Sequence, residues 1–218
     1  MVVLSQHFLR DKGAAEVIAE NLEPGTPIIE VGSGKGFLTD FVRPDLCIEI
    51  DEELALGLKG KDVIIADGRK LPVLRGQIVS SLPYHITRDF FEEVMRINGI
   101  RKLVLILQLD FVEKVLNYPT YISFALNYFY NIRAVAGVPP SSFFPPPRVQ
   151  SVIVVFNRVR EFNPEVVLRL RCISNYHNKV LSRAADACGF TCNCNRRLGE
   201  FKPWQVSELL SCMELESA

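Results

Sequence analysis

The stretch IIEVGSGKG, residues 28–36, is the first indication of the fold of this chain and of its ligand. A short run, apolar except for Glu30, leads into three glycines spaced G-x-G-x-G. Glycine permits positive φ and lets a ligand approach the backbone closely. A dinucleotide site would instead show G-x-G-x-x-G, with a pyrophosphate at the helix N-terminus. The glycines and the acid ahead of them favour a ligand with a cationic amino-acid end and no phosphate. A plain strand-to-helix turn is the alternative.

Short apolar runs alternate with helical patterns on both sides of this stretch. The predicted strands cover residues 28–31, 46–50, 63–66, 77–80, 103–107, 133–138 and 151–157. The predicted helices cover residues 36–42, 52–58, 87–96, 109–116 and 121–130. Apolar strands separated by helices predict a parallel sheet covered on both faces. The last two strands lie too close together for a helical crossover, so we expect them to pair antiparallel.

Beyond residue 160 the sequence becomes helical and richer in Arg, Asn and Cys. We therefore predict an α/β, Rossmann-like domain over residues 1–160 and a small helical appendage over residues 161–218. The pattern contains no internal repeat and no low-complexity tract.

Two further strands are predicted to end in acids. Glu49 lies about 20 residues after the glycine turn, where a carboxylate can accept from ribose hydroxyls. Asp51 is better explained as the N-cap of the following helix. Asp67, followed by Gly68, ends the third strand and could accept from an adenine amino group, or it could form an Asx turn. Acids and glycines at three successive strand ends together predict a ligand site.

A stiff turn and an aromatic loop are the candidates for catalysis. Residues 80–84, SSLPY, end the fourth strand, and Pro83 fixes a turn that can present the Leu82 carbonyl and the Tyr84 ring. The loop PPSSFFPPP, residues 139–147, carries Phe143, which could stack on a flat base together with Tyr84. For Phe144 we expect ordinary loop packing.

These residues resemble the ribosomal RNA adenine dimethyltransferases, relatives of the erythromycin-resistance methylases. The resemblance rests on SQHFL (5–9), the glycine turn, EID (49–51), SLPY (81–84) and VPPSSFFPPPRV (138–149), and it runs to about residue 157. It implies a seven-stranded S-adenosylmethionine-dependent methyltransferase domain, and in the C-terminal part a diverged version of the family's helical domain. It also implies dimethylation of adenines near the 3′ end of small-subunit rRNA.

The resemblance also implies residue roles. Contacts to S-adenosylmethionine are implied for Gln6, Phe8, Leu9, Glu30, Gly32, Gly34, Glu49, Ile50, Asp67, Gly68 and Ser81. Catalytic roles are implied for Ser81, Leu82, Pro83 and Tyr84, with Phe143 stacking on the target base.

The chain departs from the family at Ser81, where the motif usually begins with Asn. That Asn, with the Pro backbone carbonyl, would accept both hydrogens of the target amine. Three explanations stay open: Ser81 performs the role, Ser80 or a water substitutes, or the protein is a ribosome-assembly factor that binds rRNA and cofactor with little turnover. His7 stands where the family usually has Asn, and we expect it to line the site. For His85 we expect a structural role.

Composition limits the other classes of function. Lys and Arg total 25 and Asp and Glu total 25, so there is no overall basic excess to indicate RNA binding. No apolar stretch is long enough to span a membrane, and no signal peptide is apparent. For the six cysteines we expect free thiols and no metal site. We expect a cytoplasmic monomer whose partner is rRNA or a precursor of the small ribosomal subunit.

Overall fold

A seven-stranded sheet forms the centre of the fold, as the sequence predicts. The computed structural model of the chain describes residues 7–176 and 178–213. The strands, in chain order, are β1 (Phe8–Leu9), β2 (Ile28–Val31), β3 (Leu46–Glu49), β4 (Val63–Ile65), β5 (Arg75–Ser81), β6 (Gly99–Gln108), β7 (Tyr130–Val138), β8 (Phe143–Phe144) and β9 (Ser151–Arg158). The helices are α1 (Lys12–Glu20), α2 (Phe37–Val42), α3 (Glu52–Gly57), α4 (Thr87–Val94), α5 (Leu109–Asn117), α6 (Tyr121–Phe129), α7 (Pro164–Ser174), α8 (Leu181–Ala187) and α9 (Val206–Ser211).

The order of strands in the large sheet is β4-β3-β2-β5-β6-β9-β7. The first five are parallel, and β9 runs antiparallel to β6 with Val104 opposite Val155. The central strands are largely apolar and buried because both faces of the sheet are covered. The carboxyl ends of β2, β3, β4 and β5 therefore lie side by side at one edge, where ligands bind in such sheets.

A separate two-stranded sheet joins β1 to β8, with Phe8 opposite Phe144 and Leu9 opposite Phe143. The Asp11 side chain caps α1 by accepting from the Ala14 N–H, and it also accepts from the Ser142 hydroxyl. These two hydrogen bonds hold the pKa of Asp11 below its ordinary value. The Pro-rich loop is thereby attached to the N-terminal strand although they are far apart in sequence.

The chain divides into two compact units. The first contains residues 1–109 and 132–158, and the second contains residues 110–131 and 159–218. The second unit therefore takes in α6, which the sequence prediction placed in the first domain. Seven of its nine residues are buried, and it packs against α7 and α9 within the second unit. Local composition cannot reveal that α6 belongs to the second unit, because its contacts are with helices that lie later in the sequence.

The expectation of free thiols is wrong for one pair of cysteines. Cys172 in α7 and Cys188 just after α8 form a disulfide. The packing of α7 against α8 places the Cα atoms of the two cysteines 6.0 Å apart, within the span of a disulfide. The other four cysteines, all in the described part of the chain, lie outside disulfides. No helix in the described part is both long and apolar enough to cross a membrane.

Candidate active site

The predicted site residues converge on a cavity in the first unit. Every one of them that lies in the described part of the chain lines it; Gln6 falls outside the described residues. The cavity is at the carboxyl ends of β2 to β5, with Phe8 and Leu9 from β1 and Phe143 from β8 completing its wall. The pairing of β1 with β8 brings Phe8 and Phe143, which are 135 positions apart in sequence, to the same cavity.

The glycine turn makes one side of the cavity. Gly32 has φ +73°, and a Cβ built there would meet no atom within 4 Å, so the backbone is open for a ligand to approach. Gly34 has φ +53°, and a Cβ there would lie 3.1 Å from the Phe8 ring. Both positions disfavour any residue with a side chain. The backbone at Gly32 is therefore open to a ligand, while the nearby Phe8 ring accounts for the glycine at position 34.

Glu49 is held in place by backbone donors. Its Oε2 accepts from the Gly34 N–H at 2.8 Å, and its Oε1 accepts from the N–H groups of Ile50 and Asp51 at 2.9 and 3.0 Å. The side chain is buried, yet it reaches the cavity. Three donors fix the carboxylate and leave acceptor capacity on Oε2. Asp51 caps α3, as expected, by accepting from the N–H groups of Glu53 and Leu54.

Asp67 has a partner that the sequence analysis missed. Its carboxylate forms a bidentate pair with the Arg69 guanidinium, whose Nη2 lies 2.7 Å from Oδ2. This pair holds the pKa of Asp67 below its ordinary value. The backbone N–H of Arg69 also donates to Oδ1 of Asp67 at 2.9 Å, so the Asx turn is present. A ligand amino group must therefore share the Asp67 carboxylate with Arg69. The spacing Asp-x-Arg in the sequence is a signal that could have indicated this pair.

Glu30 is almost fully buried beneath the glycine turn. Its Oε2 accepts from the Thr39 hydroxyl at 2.6 Å. Burial raises the pKa of Glu30 to about 7, against the opposing effect of the Thr39 hydrogen bond. The group therefore titrates near neutral pH at the wall of the cavity.

We expect this titration to affect stability. Between pH 4.5 and 7 the folded protein retains a proton on Glu30 that the unfolded chain loses, so the free energy of unfolding falls as pH rises. From pH 5 to pH 7.5, urea denaturation should show a loss of roughly 2 kcal/mol in the wild type that Glu30→Gln does not share. The Gln oxygen can still accept from Thr39. Parallel stability profiles for the two proteins would refute a raised pKa at Glu30.

The turn after β5 contributes Ser81, Leu82, Pro83 and Tyr84 to the lining of the cavity. Ser81 is half-buried at the end of β5, and Tyr84 begins a short 3-10 turn, Tyr84–Ile86. The Tyr84 hydroxyl is 2.9 Å from the hydroxyl of Ser151, which is buried at the start of β9. This contact with a strand far away in the sequence holds the Tyr84 ring in place. The Pro83 carbonyl accepts from the Ile86 N–H at 3.2 Å and keeps a second lone pair.

Ser80 is not available for the role considered for it. Its side chain is fully buried and donates to the Val31 carbonyl. Ser81, by contrast, lines the cavity. Of the two side chains, Ser81 alone is placed to meet a ligand.

The loop after β7 turns one ring inward and one outward. Phe143 is 2% exposed and lines the cavity, while Phe144 is 61% exposed. The expectation of ordinary packing for Phe144 is therefore wrong, because neighbouring residues of a strand face opposite sides. His7 also lines the cavity, and its Nδ1 is 2.7 Å from the Pro145 carbonyl.

Known proteins are similar to this chain over most of its length. The family described as Ribosomal RNA adenine dimethylase matches residues 2–170. Ribosomal RNA small subunit methyltransferase A of Mesomycoplasma hyopneumoniae (strain 232) is 32% identical over 176 residues, which cover 71% of this chain and 67% of the relative. The protein of the same name in Syntrophotalea carbinolica is 30% identical over 186 residues, covering 75% and 70%.

Solved structures share the fold at lower identity. The 23S rRNA methyltransferase ErmE matches with a TM-score of 0.74 at 22% identity, covering 95% of this chain and all of that one. A dimethyladenosine transferase from Plasmodium falciparum matches with a TM-score of 0.70 at 22% identity, covering 83% and 74%.

Proposed function

Since this chain belongs to the ribosomal RNA adenine dimethylase family, we propose that it methylates N6 of adenines near the 3′ end of small-subunit rRNA. It is a methyltransferase of the S-adenosylmethionine-dependent class. The observation that carries the proposal is the single cavity that joins the glycine turn, two acidic strand ends, the turn after β5 and Phe143.

The residues present fit S-adenosylmethionine. The open backbone at Gly32 suits the methionine part, and the fixed Glu49 carboxylate suits ribose hydroxyls. Asp67 can accept from the adenine amino group, with Ile50 and Gly68 beside it and Phe8 and Leu9 covering the site. When bound, the cofactor supplies an electrophilic methyl group on a sulfonium sulfur.

The remaining residues position the target adenine. Tyr84 and Phe143 supply aromatic surfaces for a base flipped out of its stack. The Ser81 hydroxyl and the carbonyls of Leu82 and Pro83 supply acceptors for the hydrogens of the amine, which aim the nitrogen lone pair at the methyl group. Catalysis of this kind is orientation and charge stabilisation. The amine nitrogen is the nucleophile: it attacks the methyl group with its lone pair, the C–N bond would form as the C–S bond of the cofactor breaks, and the amine would lose its proton to water afterwards.

The test is transfer from labelled S-adenosylmethionine to small subunits that lack the modification, followed by separation of the nucleosides. We expect label in N6-methylated adenosines, with dimethyladenosine accumulating. Bare rRNA in parallel shows whether an assembled particle is required. Label in another base, or normal cofactor binding with no label in RNA, would contradict the proposal.

We propose that the protein acts in the cytoplasm and as a monomer. The support for a monomer is that all the described residues proposed to hold the cofactor and the target base line one cavity, so the proposed reaction needs no residue of a second subunit. Light scattering during size-exclusion chromatography should give the mass of a single chain, and fractionation should place the protein with cytoplasmic small subunits.

A further inference from the structure

An exposed aromatic ring lies beside the cavity on a rigid support. Phe144 is 61% exposed, although a side chain of this size is ordinarily buried. Its backbone pairs with Phe8 in the two-stranded sheet, and the next residue, Pro145, accepts a hydrogen bond from the His7 ring at 2.7 Å. The Arg10 N–H donates to the Ser142 carbonyl at 2.9 Å on the other side. The ring is therefore presented by paired backbone on both sides.

Two cationic side chains lie near two aromatic rings on one face of the small β1–β8 sheet. Phe8 and Phe144 are directly opposite in the antiparallel pair, so their side chains share one face of the small sheet. The Arg10 guanidinium lies 5.9 Å from the centre of the Phe144 ring, and the Lys35 ammonium lies 4.8 Å from that of Phe8. Both cations are exposed. We call these four residues the Phe144 face.

The Phe144 face is continuous with the cavity. Phe8 and Lys35 line the cavity, and Phe143, adjacent to Phe144 in the chain, forms part of its wall. Aromatic rings interleaved with cations are the surface that single-stranded nucleic acid favours, because bases stack on the rings and phosphates approach the charges. The chain has no overall excess of positive charge, so a local surface of this kind is where RNA contact is expected.

We propose that the Phe144 face binds the nucleotide next to the target adenine in single-stranded RNA, with the base stacked on Phe144 and the flanking phosphates near Arg10 and Lys35. This inference rests on the proposed function and adds a second base-binding position to it. The alternating directions of Phe143 and Phe144 would separate the target base from its neighbour, one entering the cavity and the other remaining outside.

The test compares Phe144→Ala with Phe144→Trp and Phe144→Leu. The measurements are KM for unmethylated small subunits, Kd for a single-stranded RNA oligonucleotide carrying the target adenines, and Kd for S-adenosylmethionine. We expect Ala and Leu to weaken RNA binding about 5- to 150-fold, Trp to retain it, and cofactor affinity to stay unchanged. Trp204→Ala, at a side chain 68% exposed in the second unit, is the matched control and should leave RNA affinity unchanged.

Several results would contradict the proposal that the Phe144 face binds a nucleotide. Unchanged oligonucleotide affinity in Phe144→Ala is one, and full rescue by Leu, which indicates apolar packing rather than stacking, is another. A loss confined to assembled subunits would indicate a ribosomal protein as the partner and would also overturn it. If the wild type methylates adenine while Phe144→Ala binds RNA normally, this inference alone fails. If the wild type binds the oligonucleotide through Phe144 without methylating it, the proposed function alone fails.

Discussion

Glu49→Gln should weaken binding of S-adenosylmethionine by about 10- to 150-fold, the loss of one hydrogen bond to a charged acceptor. Three backbone N–H groups hold the carboxylate in a fixed position before any ligand arrives. The Gln amide would direct an NH₂ group towards one of these donors and would also lose the negative charge. Isothermal titration with S-adenosylmethionine measures the effect directly.

Asp51→Asn is the matched control for this substitution. Asp51 lies two residues away and caps α3, with no place among the residues proposed to hold the cofactor. Asp51→Asn should lose at most part of the stabilisation that the N-cap gives to α3, and it should bind S-adenosylmethionine with wild-type affinity. Equal affinities for Glu49→Gln and the wild type would remove Glu49 from the site, whatever the thermal stability of the two proteins.

The strands around Glu49 could be predicted because their physics is local. The strands β2 and β3 are largely apolar because both of their faces are buried, and they end where acids and glycines begin. The parallel order of β4, β3, β2 and β5 then forces those ends to one edge of the sheet. Residues that are separated in sequence, such as Glu49 and Asp67, can for this reason be predicted to lie at one edge of the sheet from the sequence alone.

The features that the sequence did not reveal depend on contacts between distant segments. The direction of the Phe144 ring depends on β1 pairing with β8, and the support for Tyr84 comes from Ser151 on another strand. The disulfide between Cys172 and Cys188 depends on how two helices pack. No periodicity within a segment records such contacts. The pair between Arg69 and Asp67 is local in sequence. It could not be predicted because an exposed arginine side chain can adopt many conformations, and the sequence does not determine which one forms.

Ser81→Ala should lower kcat about 30- to 1000-fold, the loss expected when a positioned polar contact made in the transition state is removed. The hydroxyl is the side-chain acceptor at the position where the family usually has Asn, and Ser80 is already committed to the Val31 carbonyl. Single-turnover transfer to unmethylated small subunits, at saturating cofactor and RNA, isolates this step.

Ser81→Asn separates the remaining explanations. An Asn amide also offers an acceptor at this position, so activity should persist in this variant while it collapses in Ser81→Ala. The affinities for S-adenosylmethionine and RNA report whether either change disturbs the cavity itself. Wild-type kcat in Ser81→Ala would show that a water or the backbone carbonyls of Leu82 and Pro83 suffice to orient the amine. The turn after β5 would then act through its backbone, and the serine in place of the usual asparagine would carry no catalytic cost.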